Sequence, residues 1–154
     1  MLKFRDNIME RRMQRGDVMS VKELFDRYEV ALSTSNIDEI AKCYNSSFIM
    51  SNADGAQSVN NDDEFLTILE RTSGFYKQIG MISMIIDRYV ESVLDDSHTL
   101  VQIEWHLRMK EFQGYVNFDV TYVVNKELIV FFIAHNEQQR LKEARLLFHL
   151  SISS

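Results

Sequence analysis

Proline is absent from this 154-residue sequence, which contains only five glycines and one cysteine. Segments rich in proline, glycine or serine, which would mark flexible linkers, are missing, so we expect a single main domain. The lone Cys43 has no partner for an internal disulfide, and residues 1–19 carry charges throughout instead of the apolar segment of an export signal. Both observations predict a protein of the reducing cytoplasm.

Long apolar runs and ligand motifs are missing as well. The longest run, residues 128–134, is far below the roughly 18 residues that span a bilayer, so we expect no membrane insertion. The histidines at positions 98, 106, 135 and 149 lack metal-ligand spacing, and no glycine-rich phosphate loop occurs, so we expect neither metal nor cofactor. With a net charge of -6, the chain is a poor match for a nucleic-acid backbone, and no nucleic-acid partner is expected.

Three segments combine a helix-start signal with apolar residues at helical spacing. Ser20, Asn36 and Asn61 are each followed three residues later by glutamate, which is the spacing of a capping box. Gly80 is well placed to end the third helix, because glycine readily adopts the left-handed conformation found there. The sequence therefore predicts helices over about 21–34, 36–44 and 61–79.

A long strand region follows the helices. After Gly80 the apolar period changes from 3.6 to 2 residues and stays there to about Asn136. A shorter strand pair, with a turn at Asp54 and Gly55, lies between the second and third helices. Helices followed by strands are typical of an α+β fold, in which the helices cover one face of a sheet.

The register of the central hairpin predicts which face each of its residues occupies. If residues 113–114 form a two-residue turn, Trp105 lies opposite Tyr122 and His106 lies opposite Thr121. Trp105 then faces the helices and His106 faces away from them. The other pairs of this alignment are Ile103 with Val124, Leu107 with Val120, Met109 with Phe118, Arg108 with Asp119 and Lys110 with Asn117.

The last strand, residues 128–136, is apolar on both faces and therefore needs a cover on each side. A second subunit is the expected outer cover, with the tail at residues 141–150 as an alternative. Strict alternation predicts that Ile129, Phe131, Ile133 and His135 face the helices, and that Leu128, Val130, Phe132 and Ala134 face outward.

This order of elements resembles the nuclear transport factor 2-like superfamily, which includes SnoaL-like cyclases and ketosteroid isomerases. The resemblance rests on the opening segment VKELFDRYEVALSTSNIDEIAKCYNSSFIM, the SNADG turn, the helix NDDEFLTIL and three long alternating strands. It covers residues 20–137 and leaves residues 1–19 and 138–154 as extensions. It implies three N-terminal helices packed on a strongly curved, mixed, mostly antiparallel sheet. Such a cone-shaped α+β barrel encloses an apolar pocket and often forms a homodimer through its convex face.

Activities in this superfamily are widely scattered, so the fold alone does not select a function. Our first expectation is that the chain binds a small apolar organic molecule in an aromatic-lined pocket. The alternatives are a cofactor-independent isomerase, dehydratase or cyclase, and a dimeric protein–protein adaptor; whether any reaction is catalysed stays open. The predicted ligand-binding residues are Trp105, Tyr122, Arg88, Tyr28, Tyr44, Phe118 and Phe131, and the predicted catalytic residues are His135 and Asp87.

The strand at residues 81–94 admits two orientations. Its even positions are the more apolar, which favours Arg88 facing the pocket as a partner for an anion or carboxylate. A three-residue turn at residues 95–97 would reverse the parity and present Asp87, Tyr89 and Glu91 instead. An inward Asp87 beside a tyrosine would resemble the acid–base equipment of ketosteroid isomerases.

Overall fold

The structure is a computed structural model, and it describes residues 19–110 and 115–143. In chain order the elements are α1 (Val21–Ser33), α2 (Ile37–Ala41), β1 (Tyr44–Asn52), β2 (Gly55–Asn60), α3 (Asp63–Gln78), β3 (Met81–Val93), β4 (His98–Met109), β5 (Tyr115–Asn125) and β6 (Leu128–Ala134). Residues 137–143 are also helical. Within the described ranges, no helix is both long enough and apolar enough to pass through a membrane.

One six-stranded sheet, in the order β2-β1-β6-β5-β4-β3, forms the centre of the domain. Strands β1 and β6 run parallel, and every other neighbouring pair is antiparallel. Side chains of α1 and α3 pack in one apolar core with the sheet face that carries Trp105. We call this the inner face and the opposite one, which carries His106, the outer face. The predicted α+β class with a mixed, mostly antiparallel sheet is confirmed.

The helix caps follow the sequence signals, with one shift. Ser20 forms the predicted capping box with Glu23 at the start of α1. The third helix is capped by Asp62, not by Asn61 as predicted. The Asn61 amide instead donates to the carbonyl oxygens of Ala41 and Tyr44, at 2.8 and 3.0 Å. The cap is the carboxylate of Asp62, which accepts from the Glu64 N–H at 3.0 Å.

Strands β4 and β5 alternate between buried and accessible residues along their whole described length. Trp105 is completely buried on the inner face, whereas His106 is only partly covered. Tyr122 and Phe118 also lie in the buried set. The predicted face of every residue in these two strands is therefore confirmed, because period-2 alternation is unbroken in both.

The predicted pairing between β4 and β5 is wrong by four residues. Trp105 lies opposite Phe118 instead of Tyr122, and His106 lies opposite Asn117 instead of Thr121. A shift by an even number leaves every side chain on its own face, so the burial pattern cannot distinguish the two registers. Only the length of the turn does, and the predicted turn at residues 113–114 lies outside the described residues. The other corrected pairs are Ile103 with Val120, Leu107 with Val116, Glu104 with Asp119 and Arg108 with Tyr115.

A bulge in β3 reverses the predicted orientation of Arg88. Ile86 pairs with Trp105 and Arg88 pairs with Glu104, which leaves Asp87 as the extra residue. An earlier register shift, between Met81 and Ser83, leaves Ile82 as an exposed extra residue, so its predicted inward position is wrong. Between the two shifts Met84 and Ile86 face inward, as predicted, and after Asp87 the odd positions do, beginning with Tyr89. The predicted inward position of Arg88 is therefore wrong, and Asp87 is exposed at the bulge.

A bulge in β6 changes the predicted faces of the last strand. The pairing shifts between Val124 with Ile129 and Val123 with Phe131, so Val130 is the extra residue. Ile129 faces inward as predicted, but Phe131 is on the outer face, and its predicted pocket position is wrong. The same reversal corrects three further residues: Ile133 faces outward, and Phe132 and Ala134 face inward.

The predicted extensions are only partly within the described residues. Residues 1–18 and 144–154 fall outside them. The helical segment 137–143 begins one residue before the predicted boundary, and its Leu141 packs against the core. The start of the tail therefore contacts the domain.

Candidate functional site

The inner face carries a continuous cluster of aromatic rings. The rings come from the helices α1 and α3 and from strands of the sheet. They pack mostly edge to face or tilted, and their centroid separations range from 4.6 Å between Tyr44 and Phe48 to 6.5 Å between Phe48 and Phe132. Helical spacing on α1 and period-2 spacing on the strands direct all of them into the same volume. The rings belong to Phe25, Tyr28, Tyr44, Phe48, Phe65, Trp105, Tyr122 and Phe132.

Polar atoms of this aromatic cluster hydrogen-bond to one another. The Trp105 indole Nε1–H donates to the Tyr122 hydroxyl at 3.0 Å. The hydroxyls of Tyr28 and Tyr44 are 2.5 Å apart, and either can donate. The structure thus brings together four of the residues that the sequence predicted to bind a ligand. That these four residues bind a ligand stays a prediction.

Burial keeps these tyrosines protonated. It raises the pKa of Tyr28, Tyr44 and Tyr122 above the ordinary tyrosine value, and in each case burial is the main cause. At neutral pH the inner face therefore presents uncharged hydroxyls, which both donate and accept hydrogen bonds.

A partly buried carboxyl group, Glu137, lies beside the aromatic cluster. Glu137 is the first residue of the helical segment 137–143, just after β6. The hydroxyl of Tyr76, on α3, donates to its Oε1 atom. Burial raises the pKa of Glu137 above the usual glutamate value, and the bond from Tyr76 offsets part of that effect. When ionised, this carboxylate in turn raises the pKa of Tyr44 and Tyr122, so it is electrostatically close to the cluster.

The sequence interpretation missed Glu137 because it assumed unbroken alternation in β6. That assumption assigned the strand-end position in the interior to His135. With the bulge at Val130 the parity changes, and the chain turns into a helix at Glu137. An acidic residue in the first turn of a helix is a common pattern and did not distinguish Glu137 from other surface acids.

The other predicted site residues meet on the outer face. His135 is exposed, and its Nε2 atom is 2.7 Å from the Thr121 hydroxyl, so its predicted interior position is wrong. Arg88 reaches toward Asp119, with 3.8 Å between the charged atoms. Together with neighbouring strand residues they line a shallow groove of about 390 Å³, whose side walls are Arg88, Val90, Gln102, Asp119, Thr121 and His135.

Among the described residues, no group of three histidine, cysteine, aspartate or glutamate side chains is arranged to hold a metal ion. The thiol of Cys43 is buried, and burial raises its pKa to about 11, so it is poorly suited to be a nucleophile. The candidate site therefore consists of hydroxyl groups, one indole N–H and one carboxyl group.

A model of the family described as "NTF2-like protein (DUF6841)" matches residues 17–134. The chain belongs to this NTF2-like family. The match covers nearly all of the segment on which the sequence resemblance rested, and that resemblance is confirmed. Glu137 lies just beyond the matched residues. Among curated proteins, no relative matches the chain.

Solved structures of NTF2-like proteins share the fold at low sequence identity. One from Novosphingobium aromaticivorans, with a cystatin-like fold, is 9% identical at a TM-score of 0.62, covering 84% of this chain and 88% of its own. One from Pseudomonas putida KT2440 is 11% identical at 0.60, with coverage of 75% and 82%. One from Shewanella oneidensis MR-1 is 16% identical at 0.59, with coverage of 75% and 95%. At such identities these similarities concern the fold alone.

Proposed function

We propose that this NTF2-like domain binds a small, mostly apolar organic molecule beside Glu137, at the edge of the aromatic cluster. The observation that carries the proposal is the partly buried carboxyl group of Glu137, which accepts a hydrogen bond from the buried Tyr76. A carboxyl group in apolar surroundings is costly for folding, and such groups occur preferentially at functional sites. The aromatic rings provide an apolar wall, and the carboxyl group provides a directed hydrogen bond.

The chemistry of the site favours an uncharged ligand with an oxygen acceptor. A protonated Glu137 donates one hydrogen bond, and the nearby tyrosine hydroxyls are also protonated donors. A ligand carboxylate would face an acidic side chain and be repelled whenever that side chain ionises. A ketone, ester or ether on an apolar frame satisfies the donors without that repulsion.

Nile red, an uncharged apolar dye with a ring carbonyl, provides a direct binding test. We expect saturable binding that weakens as the pH rises through the pKa of Glu137, because only the protonated acid donates. Glu137→Gln should bind at all pH values, since the amide always donates. Glu137→Leu should bind about tenfold more weakly, the effect of one lost hydrogen bond. Fluorescence titration measures each apparent Kd.

Glu143→Gln is the matched control for this titration, because Glu143 lies in the same helical segment but is exposed. It should behave as the original chain does. A pH dependence that persists in Glu137→Gln would show that another group controls binding. Absence of saturable binding in the original chain and in Glu137→Gln would count against the site.

Acid–base catalysis is the second candidate function, and the raised pKa of Glu137 favours it specifically. A carboxyl group whose pKa is raised toward neutrality is a better proton-transfer catalyst at neutral pH than an ordinary one. A cofactor-independent isomerase, dehydratase or cyclase would use such a group to move a proton next to a carbonyl.

Hydrogen–deuterium exchange of 2-tetralone in D2O tests this second candidate. We expect the protein to accelerate exchange at the carbons beside the ketone, as followed by NMR. Glu137→Gln should lower the acceleration at least about tenfold, because the amide cannot accept the proton. Exchange no faster than in buffer alone would exclude catalysis of this kind while leaving the binding proposal intact.

Self-association through the outer face, and with it the adaptor function, stays a prediction. The corrected outer face still carries partly exposed apolar side chains, chiefly Ile49, Phe131 and Ile133. Ile49 lies directly opposite Phe131 across the β1–β6 ladder, so these side chains form one continuous patch. A second copy of the chain is the cover that we propose for this patch.

A further inference from the structure

Strand β3 is an edge of the sheet, and α1 protects only its first half. The Ser33 hydroxyl donates to the Met84 carbonyl oxygen at 2.7 Å and accepts from the Met84 N–H at 3.0 Å. The Glu29 carboxylate accepts from the Ile86 N–H at 2.5 Å. These contacts satisfy the outward backbone groups that would otherwise attract another strand.

The second half of β3, residues 88–93, lacks such protection from the described part of the chain. Beyond its end, Leu94 N–H donates to His98 within the hairpin. Outward and inward backbone groups alternate along a strand, so Tyr89 and Glu91 direct their N–H and C=O groups to the open edge. The side chains of Val90 and Val93 are exposed here. An open edge with exposed apolar side chains is a pairing surface.

We propose that a second copy of this chain pairs antiparallel with this edge, about a two-fold axis at Val90. In that register Tyr89 lies opposite Glu91 of the second copy, and both direct their backbone groups to the shared edge. In each such pair the backbone N–H of either residue donates to the C=O of the other, which gives two hydrogen bonds. The two-fold axis produces two such pairs, one on each side of Val90. Val90 meets its own equivalent at the intervening position, where the side chains are closest.

Charge selects this register over its neighbours. A shift of two residues in one direction sets Glu91 opposite Glu91, which is repulsive. The opposite shift sets the charged Arg88 against the apolar Val90. In the proposed register Arg88 faces Ser92, and a glutamate lies on the same face as Tyr89.

Cysteine cross-linking tests the register directly. We expect Val90→Cys to form a covalent dimer under mild oxidation, since the two α-carbons at the axis lie about 4.5 Å apart. Ile85→Cys is the matched control, because Ile85 and Val90 lie on the same face of β3 and are both 44% exposed. Ile85 belongs to the half that α1 protects. The native Cys43 is buried and should contribute little.

Non-reducing electrophoresis gives the yield, and circular dichroism verifies that both variants are folded. We expect at least a fivefold higher yield of dimer for Val90→Cys than for Ile85→Cys. Equal yields would overturn the proposal, and so would dimers of Val90→Cys that form only at concentrations where Ile85→Cys also cross-links.

Two further variants separate this contact from the one proposed for the outer face. Glu91→Pro removes an outward N–H of an edge strand without breaking the β3–β4 ladder. In light scattering it should remove edge pairing only. Phe131→Lys charges the outer apolar patch and should leave Val90→Cys cross-linking unchanged. Both changes are combined with Val90→Cys for the cross-linking test. If Phe131→Lys abolishes the cross-link and Glu91→Pro does not, the outer face, and not the edge, joins the two copies.

Discussion

Trp105→Ala is expected to lower the free energy of unfolding by about 3–5 kcal/mol. The Trp105 side chain is completely inaccessible and lies where α1, β3 and β5 meet. Its removal leaves a large cavity that the surrounding rings cannot fill without leaving their packed positions. It also removes the donor to the Tyr122 hydroxyl, which is buried. Urea denaturation followed by far-UV circular dichroism measures the change.

Tyr115→Ala is the control for this effect, because Tyr115 is an aromatic residue of the same hairpin but is 65% exposed. It should change the free energy of unfolding by less than about 1 kcal/mol. Trp105→Phe should fall between the two, since it retains a ring but loses the indole donor. A Trp105→Ala loss no larger than that of Tyr115→Ala would contradict the inner-face assignment on which the site depends.

Glu137→Gln is expected to stabilise the domain at pH 8 and to leave it unchanged near pH 4. The folded-state pKa of Glu137 is above its unfolded value, so the original chain loses stability as the pH rises from the unfolded pKa through the folded one. Each pH unit within that window costs about 1.4 kcal/mol. The amide avoids this loss, and its oxygen still accepts the hydrogen bond from Tyr76.

Denaturation at several pH values measures this linkage. The difference between Glu137→Gln and the original chain should grow as the pH rises from 4 to 8. Glu143→Gln, which changes an exposed acid of the same segment, should show no comparable trend. A Glu137→Gln variant that is less stable at pH 8 would mean that the ionised carboxylate is favoured in the fold.

Regular alternation made most of the fold predictable. In β4 and β5 every residue obeys a period of two, so Trp105 and His106 could be assigned to faces without coordinates. The same regularity hid the register, because a shift of four residues moves Trp105 from Tyr122 to Phe118 without changing any face. The face of a residue and the register of its strand are therefore separate predictions, and among registers that differ by an even number of residues the length of the turn decides.

Two single-residue bulges account for the errors in the candidate site. The extra residue that precedes Arg88 in β3 is Asp87 and the one in β6 is Val130, and neither has a sequence signature such as glycine. Each bulge reverses the parity of everything after it. As a result Arg88, Phe131 and His135 belong to the outer face, although alternation from the strand start assigned them to the interior.

Glu137 shows a second reason why a site is harder to predict than a fold. Its burial depends on α3, which brings Tyr76 to the end of β6 from 61 residues away in sequence. No local pattern contains that contact. Tyr28, Trp105 and Tyr122, by contrast, reach the interior through the periodicity of their own elements, which the sequence contains. Tyr44 also lies in the interior, but its predicted place at the end of the second helix is wrong, because that helix ends at Ala41 and Tyr44 begins β1.

The protonation of Glu137 tests the account most directly, because ligand binding, catalysis and the pH dependence of stability all rest on it. We expect a carbon-13 NMR titration of the Glu137 side-chain carboxyl, assigned by comparison with Glu137→Gln, to have its midpoint clearly above the ordinary glutamate value of about 4.3. A midpoint at or below that value would contradict a carboxyl group that has lost part of its hydration beside aromatic rings, and would remove the basis of the proposed site.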